Sequence, residues 1–113
     1  MKPGDVVLIA LPQIGAGMPK LRPALVLTNL PGPYQNLLLC GISTQLLQLH
    51  ANWDELMQSA DKDFASSGLR RDSIIRPSYL YAAESNEIAG VIGKVDALRL
   101  QRLRRRLSDH LRP

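Results

Sequence analysis

The segments Leu21–Leu27 (LRPALVL) and Asn36–Gln45 (NLLLCGISTQ) decide the fold of this chain, because each contains an apolar run typical of a β-strand. The intervening Pro31–Tyr34 (PGPY) is a strong turn signal. Folding the chain back at this turn pairs the two runs as an antiparallel hairpin. In that register Arg22 lies opposite Ser43, so the sequence predicts that these two residues meet at one end of the hairpin.

A guanidinium beside a hydroxyl, on a basic protein, is suited to holding a phosphate. The residues alone also allow a simpler interpretation. Arg22 before Pro23 can be a charged strand-edge residue that discourages aggregation, and Ser43 and Thr44 can merely end a strand. Both interpretations stay open at this point.

Composition indicates a single globular domain over residues 1–113, with 45% hydrophobic residues. Aromatic residues make up only 4%, so the core has to be built from Leu, Ile, Val and Ala. The net charge of +4 permits an acidic partner such as nucleic acid, an acidic protein or a membrane surface, without choosing among them.

The single cysteine, Cys40, lies within an apolar run and is expected to be a buried, inert thiol. An intrachain disulfide is impossible, which fits a reducing compartment. The start of the sequence does not resemble a signal peptide, and no apolar run approaches the length of a membrane span. We therefore expect a soluble, cytoplasmic protein without a membrane partner.

The hairpin strands are predicted at about 23–29 and 36–43, and Pro12–Pro19 is predicted to be a loop. The region 46–68 is ambiguous: Asn52 resembles a helix start, but the same region can form a short extended segment followed by a surface loop from Asp61 to Gly68. Further β-type runs are Val6–Leu11, Asp72–Arg76, Tyr79–Ala82 after a kink at Pro77, and Ile88–Val95.

After Val95 the apolar period changes to that of a helix, predicted over 97–111 with Asp96 as N-cap. Its apolar stripe consists of Leu100, Leu103, Leu107 and Leu111. Its arginines are expected on a solvated face: Arg99, Arg102, Arg104, Arg105, Arg106 and Arg112. Short strands followed by one amphipathic helix predict a small, strongly bent antiparallel sheet or barrel with the helix packed on it.

Five fragments, in their order and spacing, make the chain similar to the MazF/PemK (Kid) toxin family. They are PGDVV at 3–7, RPALVL at 22–27, ISTQ at 42–45, GL at 68–69 with DSIIR at 72–76, and IGKV at 92–95 ahead of the helix. The resemblance implies an SH3-like antiparallel β-barrel of the CcdB/PemK type with a C-terminal helix, and a homodimer. It also implies a type II toxin that cleaves single-stranded RNA without a metal or cofactor and is neutralised by a cognate antitoxin.

Carried over residue by residue, the resemblance implies that Arg22, Ser43 and Arg76 are catalytic. It predicts a substrate-binding set of Lys20, Pro23, Thr44, Gln45 and Ser78. Kid-type members have an aspartate where this chain has Ser78, and an Arg-Thr pair where it has Tyr81-Ala82. The histidine that some members carry in the first loop has no counterpart between Val7 and Leu21.

Metal-independent cleavage uses the 2′-hydroxyl of the RNA as nucleophile and yields a 2′,3′-cyclic phosphate and a 5′-hydroxyl. Arg22 is suited to stabilise the phosphorane, but an arginine is a poor base. His50, a few residues past the hydroxyl pair, is a candidate base or else a surface histidine, whereas His110 is expected to be solvated on the helix.

Two alternatives from other functional classes remain. One is a catalytically inactive barrel that binds RNA or an antitoxin-like protein, which Ser78 in place of the aspartate and Tyr81-Ala82 in place of the Arg-Thr pair favour. The other is a toxin of the same fold that poisons DNA gyrase, and the match through Arg22-Pro23 and Ser43 argues against it.

Overall fold

Six strands and two helices follow one another in the computed structural model, which describes residues 1–11 and 20–113. The strands are β1 Asp5–Leu11, β2 Lys20–Asn29, β3 Asn36–Ser43, β4 Glu55–Met57, β5 Ser73–Glu84 and β6 Ile88–Lys94. The helices are α1 Phe64–Ser67 and α2 Ala97–Leu111, and short 3-10 turns cover Leu46–Gln48 and Ser85–Glu87. The predicted loop Pro12–Pro19 lies outside the described residues. No helix in the described part is long and apolar enough to cross a membrane.

The hairpin of β2 and β3 has the predicted register. Ala24 pairs with Gly41 and Val26 with Leu39, and continuing this register places Arg22 opposite Ser43. A one-residue bulge lies between Val26 and Thr28, on the side of the turn, and so does not affect the end that carries Arg22.

The prediction of a mainly β fold with a C-terminal helix is confirmed, but the described residues form an open sheet and not a closed barrel. The strand order is β4-β5-β3-β2-β1-β6, so β4 and β6 are the two edges. β4 has only three residues, which leaves little backbone that could pair with β6 and close the sheet into a barrel. The α1 turn instead packs against β6, where Gly68 lies close to the backbone of Ile92.

Gly93 in β6 is expected to tolerate no side chain, because a Cβ there would lie 2.2 Å from the carbonyl oxygen of Ser66 and 2.3 Å from the carbonyl carbon of Ser67. Replacing Gly93 with alanine should lower the free energy of unfolding by about 3 kcal/mol through this backbone overlap. Gly90 in the same strand is the matched control, since nothing lies within 4 Å of a Cβ at that position. Urea denaturation of both variants tests this; equal stability would show that α1 does not pack on β6 this closely.

The predicted kink in β5 is confirmed as a bulge at Pro77. Arg76 pairs with Gly41 of β3, but the next pair along β3 is Cys40 with Leu80. β5 therefore contains three extra residues, 77–79, between these two pairs. The bulge places Tyr79 next to Gly41, where a Cβ at Gly41 would lie 3.3 Å from the Tyr79 Cβ. It thereby brings Arg76 and Tyr79 together.

In the ambiguous region the extended alternative is the one observed. Asn52 has a left-handed backbone (φ 67°) and begins no helix, and β4 follows at Glu55–Met57. The prediction of a surface loop over Asp61–Gly68 is wrong in part, because α1 lies within it and both Asp63 and Ser67 are buried.

Helix α2 has the predicted bounds, and its leucine stripe packs on the sheet at Leu103, which is fully buried, but Leu111 at its end is exposed. Asp96 occupies the N-cap position, but its side chain makes no capping hydrogen bond. Its backbone N–H instead donates to Oδ2 of Asp63, at 2.9 Å. The start of α2 is thus tied to the segment that precedes α1.

The expectation of a solvated arginine face is wrong for Arg99, which is buried among carboxylates. Its guanidinium donates to Asp63 at 2.9 Å, to Glu55 at 3.2 Å and to Asp61 at 3.3 Å. We call these four residues the Arg99 cluster. Arg102 and Arg106 also form ion pairs with Glu55, so α2 is joined to β4 by charge as well as by apolar packing.

Candidate functional site

A hollow of about 380 Å³ opens where β2, β3 and β5 lie side by side, and we call it the Arg22 hollow. Six of the eight predicted site residues line it: Arg22, Pro23, Ser43, Thr44, Gln45 and Arg76. Gln48, Ser73 and Tyr79 add to the lining. The structure therefore brings together the arginine and the hydroxyl that the hairpin was predicted to join, and adds a second guanidinium from the neighbouring strand.

The sheet register explains this meeting. Gly41 pairs with Ala24 on one side and Arg76 on the other, so β2, β3 and β5 are aligned at this level. Ser43 follows two residues later on the same face of β3, since side chains alternate along a strand. Because Gly41 has no side chain, the space above it is available to Tyr79.

The Arg76 guanidinium is held on three sides. Its Nη1 donates to Oε1 of Gln48 at 2.8 Å, and its Nε lies 3.6 Å from Oδ2 of Asp54. Its Cζ lies 4.8 Å from the centroid of the Tyr79 ring, a cation–π contact. The side chain is only 16% exposed, so Arg76 presents an oriented donor edge to the hollow and not a freely moving cation.

Ser43 is half-buried like Arg76, whereas Arg22 is exposed. The Ser43 hydroxyl accepts the backbone N–H of Gln45 at 3.0 Å, which leaves its own proton available for donation. Arg22 is exposed near the beginning of β2, and Thr44 is exposed directly after β3. Together these groups offer donors from two arginines and two hydroxyls to one anion.

Lys20 and Ser78, the other two predicted residues, do not line the hollow. Lys20 is exposed at the first position of β2. The Ser78 hydroxyl accepts the indole N–H of Trp53 at 2.7 Å, so it fastens the loop before β4 to the bulge of β5. The Trp53 ring also packs at 5.2 Å from the ring of His110. His50 is exposed and is not among the residues of the hollow.

The described lining of the hollow contains two guanidiniums and neither a carboxylate nor an imidazole. The sequence of residues 12–19, PQIGAGMP, contains no carboxylate or imidazole either. Within the described ranges, no group of three or more His, Cys, Asp or Glu side chains is placed to hold a metal ion. The site is therefore suited to bind an anion and to stabilise negative charge.

Cys40, which precedes Gly41 in β3, is fully buried, as predicted. Burial, and to a lesser extent the charge of Asp54, raise the pKa of its thiol to about 12. The thiol therefore stays protonated at neutral pH and does not supply a nucleophile.

Sequence reasoning missed the neighbours that orient Arg76. Gln48 and Asp54 lie in the ambiguous region, and no motif connects them with β5. Tyr79 reaches Arg76 only because of the bulge, whose size the sequence does not specify. The proline at position 77 was the one available signal for an irregular strand.

Residues 2–111 match the family model described as PemK-like, MazF-like toxin of type II toxin–antitoxin system. No curated protein matches the sequence significantly. Among solved structures, the Mycobacterium tuberculosis toxin MazF-mt6 is similar with a TM-score of 0.67 at 18% identity, covering 93% of each chain. An endoribonuclease in complex with its cognate antitoxin from Mycobacterial species has a TM-score of 0.65 at 13% identity, covering 98% of this chain and 94% of that one. At these identities the structural likeness shows the fold.

Proposed function

This chain belongs to the PemK-like, MazF-like family of type II toxin–antitoxin toxins, and from this premise we propose that it cleaves single-stranded RNA without a metal ion. The observation that carries the proposal is the Arg22 hollow, which Arg22, Ser43 and Arg76 all line. Two guanidiniums and a hydroxyl are donors of the kind that a phosphodiester requires.

In the proposed reaction the RNA 2′-oxygen attacks the adjacent phosphorus and the bond to the 5′-oxygen breaks. The products are a 2′,3′-cyclic phosphate and a 5′-hydroxyl. Arg22 and Arg76 donate to the nonbridging oxygens, and these hydrogen bonds strengthen as the phosphorane gains negative charge. Ser43 donates its free proton to the same group. Because the described lining offers donors and neither a carboxylate nor an imidazole, electrostatic stabilisation is the main contribution of these residues.

A second hollow next to the first supports a polymeric substrate over a free phosphate. It shares Thr44 and Gln45 with the Arg22 hollow and extends to Arg70 and Arg71. Both arginines are exposed. A single strand bound across the two hollows would therefore place flanking phosphates near further positive charge.

We also propose an antitoxin partner and a homodimer. The net charge of +4 suits an acidic antitoxin segment, and the similar mycobacterial endoribonuclease is described in complex with its cognate antitoxin. Large apolar side chains are exposed near the hollow, among them Leu21, Tyr79 and Leu80, and a second copy could cover them. Because the proposed substrate is RNA, we also propose that the protein acts in the cytoplasm.

A binding protein without catalysis is the second candidate. Two observations favour it: the described lining of the hollow has no carboxylate or imidazole, and the Ser78 hydroxyl is engaged by Trp53. Such a protein would bind RNA through the same arginines and leave it intact.

Purified protein is expected to cut a mixed-sequence single-stranded RNA in the presence of excess EDTA, because the proposed donors are all side chains. Gel electrophoresis of end-labelled RNA measures the cleavage, and a gel-shift assay on the same RNA measures binding. Discrete fragments support the toxin, whereas a shifted band with intact RNA supports the binding protein. Cleavage that stops in EDTA and returns with added Mg²⁺ would refute the metal-independent mechanism.

A further inference from the structure

We propose that Asp54 is a positioning residue for the RNA reaction, which fixes Arg76 so that the remaining donors of its guanidinium meet the phosphate. This inference rests on the proposed ribonuclease function. It starts from a carboxylate that does not line the hollow. The side chain of Asp54 is fully buried, and Nε of Arg76 lies 3.6 Å from its Oδ2.

Burying a carboxylate is costly unless charge and hydrogen bonds compensate for it. Oδ2 of Asp54 accepts the backbone N–H of His50 at 2.8 Å. Oδ1 of Asp54 has no hydrogen-bond partner among the described residues, and neither does Nε of Arg76. Two unsatisfied buried groups of opposite charge thus belong to one ion pair, an arrangement that calls for an explanation beyond stability.

The separation of 3.6 Å between Nε of Arg76 and Oδ2 of Asp54 suggests that this pair is completed when substrate binds. It exceeds the usual N–H···O distance of about 2.9 Å, so a small movement of the guanidinium completes the bond. Catalytic hydrogen bonds are often long in the free enzyme and shorten when substrate binds. We infer that a phosphate in the hollow draws Arg76 into this closer geometry.

The contacts of Arg76 with its neighbours leave its Nη2 group available to donate to that phosphate. Gln48 takes Nη1, Asp54 faces Nε and Tyr79 covers one side of the plane. Nη2 has no hydrogen bond or ion pair within the described part of the chain, and Arg76 lines the hollow. Gln48 and Asp54 come from one connection between β3 and β4, so a single segment orients the guanidinium.

The same connection is rigid where it carries Asp54. The carbonyl oxygen of His50 accepts the backbone N–H groups of Trp53 at 3.2 Å and Asp54 at 2.9 Å. Trp53 in turn donates to Ser78 in the bulge of β5. The carboxylate is therefore held at a fixed point relative to β5, which is what a positioning role requires.

The test is a double-mutant cycle on RNA cleavage with Asp54→Asn, Arg76→Gln and the double variant. Asparagine retains the shape and the acceptor for the His50 N–H but removes the charge. The expected loss in kcat/KM for Asp54→Asn is about 10- to 100-fold, and the double variant should be no slower than Arg76→Gln alone. Asp5→Asn is the matched control, because Asp5 also accepts a backbone N–H, from Lys2 at 2.9 Å, and lies outside the Arg22 hollow. Wild-type rates for Asp54→Asn, or losses that multiply in the double variant, would overturn the proposal.

A second measurement on the wild-type protein keeps the proposal testable if Asp54→Asn fails to fold. A single-stranded deoxyoligonucleotide lacks the 2′-hydroxyl and is not cleaved, and its binding should shift the Nε–Hε resonance of Arg76. The Nε–Hε resonance of Arg99, which donates to Asp63 at 2.9 Å, is the internal control and should not move. Binding without movement of the Arg76 signal would contradict the inference.

This design also separates the inference from the proposed function. Wild-type protein that neither cuts nor binds nucleic acid refutes the ribonuclease. The Arg76 resonance still reports on its pairing with Asp54 in that case, and an unchanged signal in Asp54→Asn would refute the positioning role by itself.

Discussion

Replacing Arg22 with alanine is expected to slow RNA cleavage by about 100- to 1,000-fold, the usual loss when one donor to a developing oxyanion is removed. Arg22 lines the hollow beside Ser43 and is exposed, so the change removes a ligand contact with little effect on the core. Single-turnover cleavage in EDTA measures the rate. Thermal denaturation should show a folded protein. Expression of the wild-type protein is expected to arrest growth, and expression of the variant is not.

Arg105→Ala is the matched control for Arg22→Ala, since it removes the same charge from an exposed position on α2. It should retain the wild-type rate apart from a small loss of long-range attraction. Full activity in the Arg22 variant, or equal losses in both variants, would show that the Arg22 hollow is not where RNA is cut.

Replacing Arg99 with methionine is expected to lower the free energy of unfolding by about 3–5 kcal/mol, because it leaves buried carboxylates without their cation. Arg99 is 7% exposed, and Asp63 and Glu55 are buried with it. Arg104→Met is the control: it makes the same change on an exposed position of the same helix and should alter stability by less than about 0.5 kcal/mol. Denaturant unfolding measures both, and a small effect of Arg99→Met would mean that the cluster does not join α2 to the sheet.

The Arg99 cluster also predicts how stability depends on pH. Burial opposes ionisation of Glu55, but hydrogen bonds and charge from Arg102 and Arg106 outweigh it and lower the pKa of this carboxyl. Burial likewise opposes ionisation of Asp63, and its bonds to Arg99 and to the Asp96 backbone lower its pKa. Both groups therefore stabilise the fold above their ordinary pKa values, and this contribution is lost as the pH falls through the lowered ones. Between neutral and acidic pH, the free energy of unfolding should therefore fall less in Arg99→Met than in the wild-type protein.

Local patterns in the sequence predicted the hairpin and the last helix well. An apolar run, a Pro-Gly-Pro turn and a second apolar run leave few registers, and the observed pairing of Ala24 with Gly41 is the predicted one. The leucine spacing and the position of Asp96 likewise gave the bounds of α2. In both cases the deciding interactions are close in sequence.

Features that depend on distant partners could not be predicted. Nothing near Arg99 shows that it meets Glu55 and Asp63, each more than 35 residues away. The same is true of Asp54, which meets Arg76 only because a loop and a bulge come together. The strand pattern also did not show that the sheet stays open, with β4 and β6 as its two edges.

The chemistry of the new RNA ends tests the central claim most directly. Mass spectrometry of fragments produced by the wild-type protein in EDTA should find a 2′,3′-cyclic phosphate on the upstream fragment and a 5′-hydroxyl on the downstream one. These ends follow from attack by the RNA's own 2′-oxygen in a site that supplies donors. Fragments with a 5′-phosphate and a 3′-hydroxyl, or RNA left intact by folded protein, would contradict the account.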